Sequence, residues 1–279
     1  MLPKKTMKQF LKKFIFLALI AFTFSYCNTV PVTGRRQLKF MPDSELLAMS
    51  FSQYNQFLSQ NRLSTNQAQV NMVRGVGVRI QRAVEAYMAE KGMSDRIQDF
   101  RWEFNVVEDR QVNAFCMPGG KVVVYTGIMP ICRDENGLAI VMGHEIAHAI
   151  AEHGNERMSQ TLLANGLLTV GGGIVQSKNP SLVNQILLQS AGVVTNLGLL
   201  SFSRQHESEA DKIGLIFSSM AGYDPREAPA FWQRMAGASN GQQPPEFLST
   251  HPSHDRRIRD LEAMMPEAMA YYEKSPMRN

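Results

Sequence analysis

The sequence is short of the features that mark several protein classes. Only three cysteines occur in 279 residues. None stands in a C-x-x-C or any other metal-ligand spacing, which argues against a cysteine-based zinc site. No apolar run reaches the ~20 residues a bilayer-spanning helix needs without a glycine or polar break. Internal repeats, low-complexity tracts and a linker that would separate a second large domain are all absent. Basic residues are concentrated at one end: Lys4, Lys5, Lys8, Lys12 and Lys13 account for the formal charge of +4, and removing residues 1–26 leaves 24 basic against 25 acidic side chains. No Lys/Arg run interleaved with aromatics remains, so the chain offers no case for nucleic acid. What remains is an ordinary globular composition, 44% hydrophobic and 19% charged, enough to bury a real core.

The first 26 residues read as a targeting segment, with a charged stretch from Lys4 to Lys13 and a short apolar run from Phe14 to Phe24. Followed closely by Cys27, this resembles a bacterial lipoprotein signal in which Cys27 becomes the lipidated first residue. Tyr26 departs from that pattern, which has a small residue before the cysteine. A secretory signal cut elsewhere, or an uncleaved anchor, are the alternatives. Outside the cytoplasm Cys116 and Cys132 can form a disulfide; the alternative is two buried thiols.

Residues 27–42 carry prolines and a glycine and read as a tether or extended arm. Helical spacing predicts a helix from Asp43 to Leu58 and a second from Asn66 to Lys91, ended by Gly92. Phe100–Val107, Val112–Met117 and Lys121–Tyr125 read as strands, the last two joined through Pro118-Gly119-Gly120 as a hairpin. A helix from Asp134 leads into the next motif. Leu162–Leu200 is apolar with interruptions, either a helical hairpin or lid near a site or two core helices. Pro266–Tyr272 reads as at most a short helix.

The chemistry concentrates in His144-Glu145-Ile146-Ala147-His148. Histidines four apart on a helix leave one face and can hold one metal ion, with Glu145 beside the metal as a proton carrier. A catalytic zinc site needs a third protein ligand and a position for water. His153 lies nine residues after His144, one short of the metzincin spacing. Glu207 and Asp211, in Ser203-Arg204-Gln205-His206-Glu207-Ser208-Glu209-Ala210-Asp211, share a helix face, Glu207 as a ligand and Asp211 behind a ligand histidine. Glu209 points away and reads as solvated. Each stretch alone is also compatible with an ordinary helix.

Together the two motifs resemble the membrane-associated zinc metalloendopeptidases grouped with the CAAX prenyl endopeptidase, the heat-shock protease HtpX and the mitochondrial Oma protease, nearest the bacterial periplasmic lipoprotein and outer-membrane quality-control members. Asn113-Ala114-Phe115-Cys116-Met117-Pro118-Gly119-Gly120 matches that family's strand ahead of the zinc helix, and Thr29–Gln37 is similar to the start of its lipoproteins. The resemblance implies an α+β fold, a mostly helical zincin of the gluzincin type over 43–279, with a small sheet whose edge strand (Asn113, Ala114, Phe115) lines the cleft and holds extended peptide. It implies one Zn²⁺ per chain on His144, His148 and Glu207, Glu145 as general base, and Asp211 and Arg257 behind the ligands. His251 would steady the oxyanion or cap the zinc. The expected activity is endoproteolysis of unfolded or misassembled envelope proteins by a lipid-anchored enzyme, at the outer membrane facing the periplasm. A chaperone-like assembly factor that retains the zinc site but acts by binding is the alternative, as is a closed structural zinc domain.

Overall fold

A computed structural model describes residues 27–164, 168–171, 174–177, 203–238, 247–248, 251 and 256–278. Residues 1–26, read as a targeting segment, lie outside these residues, as do the side chains of Cys27 and of the region from 162 to 202. Cys27–Thr29 (β1) pairs antiparallel with Arg36–Leu38 (β2), and the turn between them takes positive φ at Val32 and Gly34. The stretch read as a tether or arm thus lies against the body, with Val30 and Met41 buried.

Asp43–Gln60 (α1) buries Leu46, Ser50, Tyr54 and Phe57, and Gln67–Glu90 (α2) buries Val73, Val76, Ile80, Val84 and Tyr87. Those three- and four-residue spacings put one apolar stripe on each helix. Asn66 caps α2 by accepting from the Gln69 amide at 3.3 Å. Glu103–Val107 (β3), Ala114–Met117 (β4) and Lys121–Tyr125 (β5) form one sheet. Its central β5 is parallel to β3 and antiparallel to β4, so β4 is an edge among the described residues. The sheet is covered on both faces, which is why its strands read as apolar runs. Phe115 and Met117 meet Tyr54 and Phe57 of α1, while Ala114 and Cys116 belong to the main core with α2 and the helix that follows. Gly119 and Gly120, both with positive φ, close the β4–β5 hairpin.

After the short Met129–Cys132 (α3), Glu135–Ile150 (α4) starts at Asp134, whose carboxylate accepts from the Asn136 and Gly137 amides. It is buried without a break from Gly137 to Ile150. His153–Ala164 (α5) follows, then Leu168–Gly171 (β6) paired with Ile174–Ser177 (β7). Over 168–171 and 174–177 strands therefore stand where a helix was expected; the rest of that expectation, from 178 to 200, lies outside the described residues. Thr169, Val170, Ile174 and Val175 are β-branched and favour the extended chain. Arg204–Met220 (α6) is capped by Ser203, and Glu227–Gly237 (α7) and Arg257–Lys274 (α8) complete the body. Helix α8 runs through Pro266 instead of starting there; buried Leu261 and Ala268 on either side hold it. No helix among the described residues is long and apolar enough to cross a membrane. Cys116 and Cys132 are free, buried thiols, which resolves the alternative left by their spacing.

Helices α4 and α6 touch backbone to backbone. A Cβ on Gly214 would sit 2.7 Å from Gly143 C and from His144 N. This contact sets the distance between the two motif-bearing helices. Gly214→Val forces them apart, and overpacking at about 3 kcal/mol should lower Tm by roughly 6–12 °C in a chain of this size. Thermal denaturation with and without Zn²⁺ checks it, and an unchanged Tm would contradict the close contact.

Candidate active site

Fully buried polar groups need partners, and those of α4 face α5, α6, α8 and His251. The His144 and His148 Nε2 atoms are 3.1 Å apart. Glu207 of α6 brings Oε2 to 3.4 Å from His144 Nε2 and Oε1 to 3.4 Å from His148 Nε2. His251 brings Nδ1 to 3.0 Å from Glu207 Oε1 and 3.4 Å from His144 Nε2. These four donors all lie within 4.8 Å of one another and all are buried.

The donor set fits a divalent cation. Ligand distances of about 2.0–2.1 Å imply ligand–ligand edges of about 3.3–3.4 Å in a tetrahedron, close to the separations seen. The tautomers fit as well. His144 Nδ1 lies 2.9 Å from Asp211 Oδ1, so its proton faces that carboxylate and its Nε2 lone pair faces Glu207. His148 directs its Nδ1 at His153 Nδ1, 2.9 Å away. Arg257, 1% exposed, donates from Nη2 to Asp211 Oδ1 at 2.6 Å and from Nη1 to Glu207 Oε2 at 3.3 Å. Its guanidinium lies 3.3 Å from the Trp232 ring centroid.

Charge states follow from these contacts. Burial opposes the charge on Glu207, but His251, His144 and His148 outweigh it and hold the carboxyl well below the usual range. Burial dominates at His148 and keeps the ring neutral, as a ligand must be. At Glu145 burial raises the pKa against the pull of His251 and His144. Glu145 Oε1 has no hydrogen-bond partner among the described residues and lies 3.5 Å from His251 Nε2. A buried carboxylate with a raised pKa and an unused oxygen at a donor cluster is equipped to take a proton.

The residues singled out from the sequence are therefore together: His144, Glu145, His148, Glu207, Asp211, His251 and Arg257 share one cluster. Ala114 and Phe115 lie in β4 and Asn113 just before it; Asn113 Oδ1 accepts from the Ala114 amide at 2.9 Å. Glu209 was expected in solvent and is instead 6% exposed. It lies under the β1–β2 turn, where Thr33 Oγ1 donates to it and Arg35 Nε donates at 2.7 Å. His153, one residue short of the metzincin place, stands behind His148. Arg35 and Glu156 have no role in the sequence reading, and His206, a histidine of the second motif, has none assigned to it there. A polar arm without periodicity gives no sequence signal of what it will cover.

A family model described as Peptidase family M48 matches residues 77–265. Relatives include the mitochondrial metalloendopeptidase OMA1 of Schizosaccharomyces pombe, 34% identical over 272 residues, covering 94% of this chain and 75% of the relative. The mitochondrial metalloendopeptidase OMA1 of Homo sapiens is 30% identical, covering 91% of this chain and 48% of the relative. The beta-barrel assembly-enhancing protease of Escherichia coli is 32% identical, covering 57% and 33%. The expected lipid-anchored, outer-membrane location is corrected by these matches, because the relatives that share most of the chain are mitochondrial. The weak point of that expectation was Tyr26, where lipid attachment calls for a small residue; a basic, apolar N-terminus serves several targeting routes.

Proposed function

The chain belongs to peptidase family M48, and from that premise we propose that this metalloendopeptidase uses zinc to cleave extended segments of unfolded or misassembled proteins. The observation that carries the reading is Glu145, buried beside the donors of His144, His148, Glu207 and His251, with an Oε1 that accepts no hydrogen bond among the described residues. His144, His148 and Glu207 hold the zinc, and Asp211 and Arg257 fix His144 and Glu207 in place. A zinc ion held by these residues would supply Lewis acidity for the scissile carbonyl and for the attacking water. Glu145 accepts the proton of the attacking water and delivers it to the leaving amine. Strand β4, an edge among the described residues, offers backbone groups to an extended peptide. A small cavity with Leu46, Met88, Ile97, Phe100 and Cys116 in its wall, and Arg96 and Glu152 beside them, adjoins His148. The name of the E. coli relative, which joins a protease to assembly of other proteins, supports misassembled chains as substrates.

His251 takes the fourth corner of the donor set, the corner water needs. In this arrangement it acts as a brake, and substrate must displace it. The test is casein cleavage by the wild type and by His251→Ala, each with its zinc quantified. Cleavage should disappear with a chelator, return with Zn²⁺, and be faster in the variant. Slower cleavage by His251→Ala would mark His251 as a stabiliser of the oxyanion. No cleavage by either protein with zinc bound would favour a factor that acts by binding.

A further inference from the structure

Behind the metal-binding face lies a second cluster that the proposed chemistry does not use: buried His153 and Glu156 on α5 and His206 and Glu209 on α6, covered by the partly buried Arg35 from the β1–β2 turn. Its contacts run in one direction. His148 Nδ1 lies 2.9 Å from His153 Nδ1, and His153 Nε2 lies 3.0 Å from Glu209 Oε2. A carboxylate only accepts, so the proton of His153 belongs on Nε2. That leaves its Nδ1 as an acceptor for the Nδ1 proton of His148, which in turn leaves the His148 Nε2 lone pair facing Glu207. Asp211 orients His144 directly; His148 is oriented by a two-step relay ending on Glu209.

What fixes Glu209 comes from the far end of the chain. Arg35 donates from Nε to Glu209 Oε2 at 2.7 Å, and its two terminal nitrogens donate to both oxygens of Glu156 at 2.9 and 2.6 Å. Glu156 also lies 3.0 Å from His206 Nε2, and the His206 ring stacks on His153 with centroids 4.5 Å apart. The guanidinium between the two carboxylates leaves no place there for a cation. The turn that carries Arg35 is itself held. Gly34 N donates to Val30 O at 2.9 Å and Val30 N to Arg35 O at 2.8 Å. Arg96 donates to Thr29 O at 2.7 Å, and Val30 is buried in the main core.

We propose that Arg35 is a positioning residue of the metal centre: through Glu209 and His153 the N-terminal arm sets the tautomer and orientation of His148. The proposal rests on the reading of His144, His148 and Glu207 as metal ligands. Partners behind a ligand typically change metal affinity by about 10–100-fold, and a relay of this kind should fall in that range.

The test titrates Zn²⁺ against a chromophoric chelator in the full chain, comparing wild type, Arg35→Met, Arg35→Lys, Glu209→Gln and His148→Ala. The visible spectrum of each Co²⁺-loaded protein reports ligand geometry at saturating metal. Arg35→Met and Glu209→Gln should bind Zn²⁺ about 10-fold or more weakly with an altered Co²⁺ spectrum, and Arg35→Lys should recover part of the loss. If Arg35→Met does not fold, Glu209→Gln, close in size to the native side chain, carries the comparison. Wild-type affinity and spectrum in Glu209→Gln or in folded Arg35→Met would overturn the proposal while leaving the ligand assignment intact. Wild type that binds no better than His148→Ala would overturn the ligand assignment and the proposal with it.

Discussion

Glu145→Gln is expected to lower peptide cleavage by about 10²–10⁴-fold, the range for loss of a general base, while the protein still retains about one zinc per chain. The amide has nearly the shape of the carboxylate and cannot accept the proton of water. Glu145 is not among the four donors, so its loss leaves the metal ligands in place. Its Oε1 accepts no hydrogen bond among the described residues and meets the His251 ring at 3.5 Å. Cleavage of a fluorogenic peptide, with metal content measured on the same samples, separates the possibilities. Unchanged cleavage would remove Glu145 from the chemistry, and loss of zinc would make it a structural residue. A factor working by binding alone would keep its cellular role in this variant, whereas a peptidase would lose it.

Arg257→Met is expected to be the most destabilising single change near the site, by about 3–5 kcal/mol, because it leaves buried carboxylates without their cation. Arg257 meets Asp211 at 2.6 Å and Glu207 at 3.3 Å with no exit to solvent. Methionine keeps much of the volume against Trp232, so the loss reports the charge more than the packing. Adding Asp211→Asn removes one stranded charge and should restore part of the stability. Chemical denaturation of the metal-free proteins measures both. Equal stability of wild type and Arg257→Met would show that the two carboxylates do not depend on this guanidinium.

The helices that carry the clustered donors were legible because each pair is local. His144 and His148 are one turn apart, and so are Glu207 and Asp211, so periodicity alone puts each pair on one face. The sheet was legible for the same reason: Lys121–Tyr125 and the strand before it are apolar and joined by Pro118-Gly119-Gly120. What periodicity does not carry is which faces of a helix become covered. Glu209 lies opposite the Glu207 face and would be solvated on an isolated α6, but α5 and the β1–β2 turn close over it. The same limit applies to Arg35, whose partners are 121 and 174 residues away. Pro266 misled in the other direction, since a proline that usually starts a helix is here carried inside one by the burial of Leu261 and Ala268.

These separations have a consequence for the order in which the protein is made. Arg35 leaves the ribosome long before Glu209, and the His144–Glu145–His148 turn leaves before Glu207, His251 and Arg257. At about 5–20 residues per second, roughly 5–20 s pass between synthesis of the second histidine and of the arginine that neutralises Glu207 and Asp211. For roughly the first 3–12 s of that interval, until Glu207 is made, the emerging chain carries Glu145 and two imidazoles with no third donor to close the site. A peptidase assembled in this way has no complete centre of its own until Glu207 has been made and packed against α4, so a nascent copy cannot cleave itself while it is still unfolded.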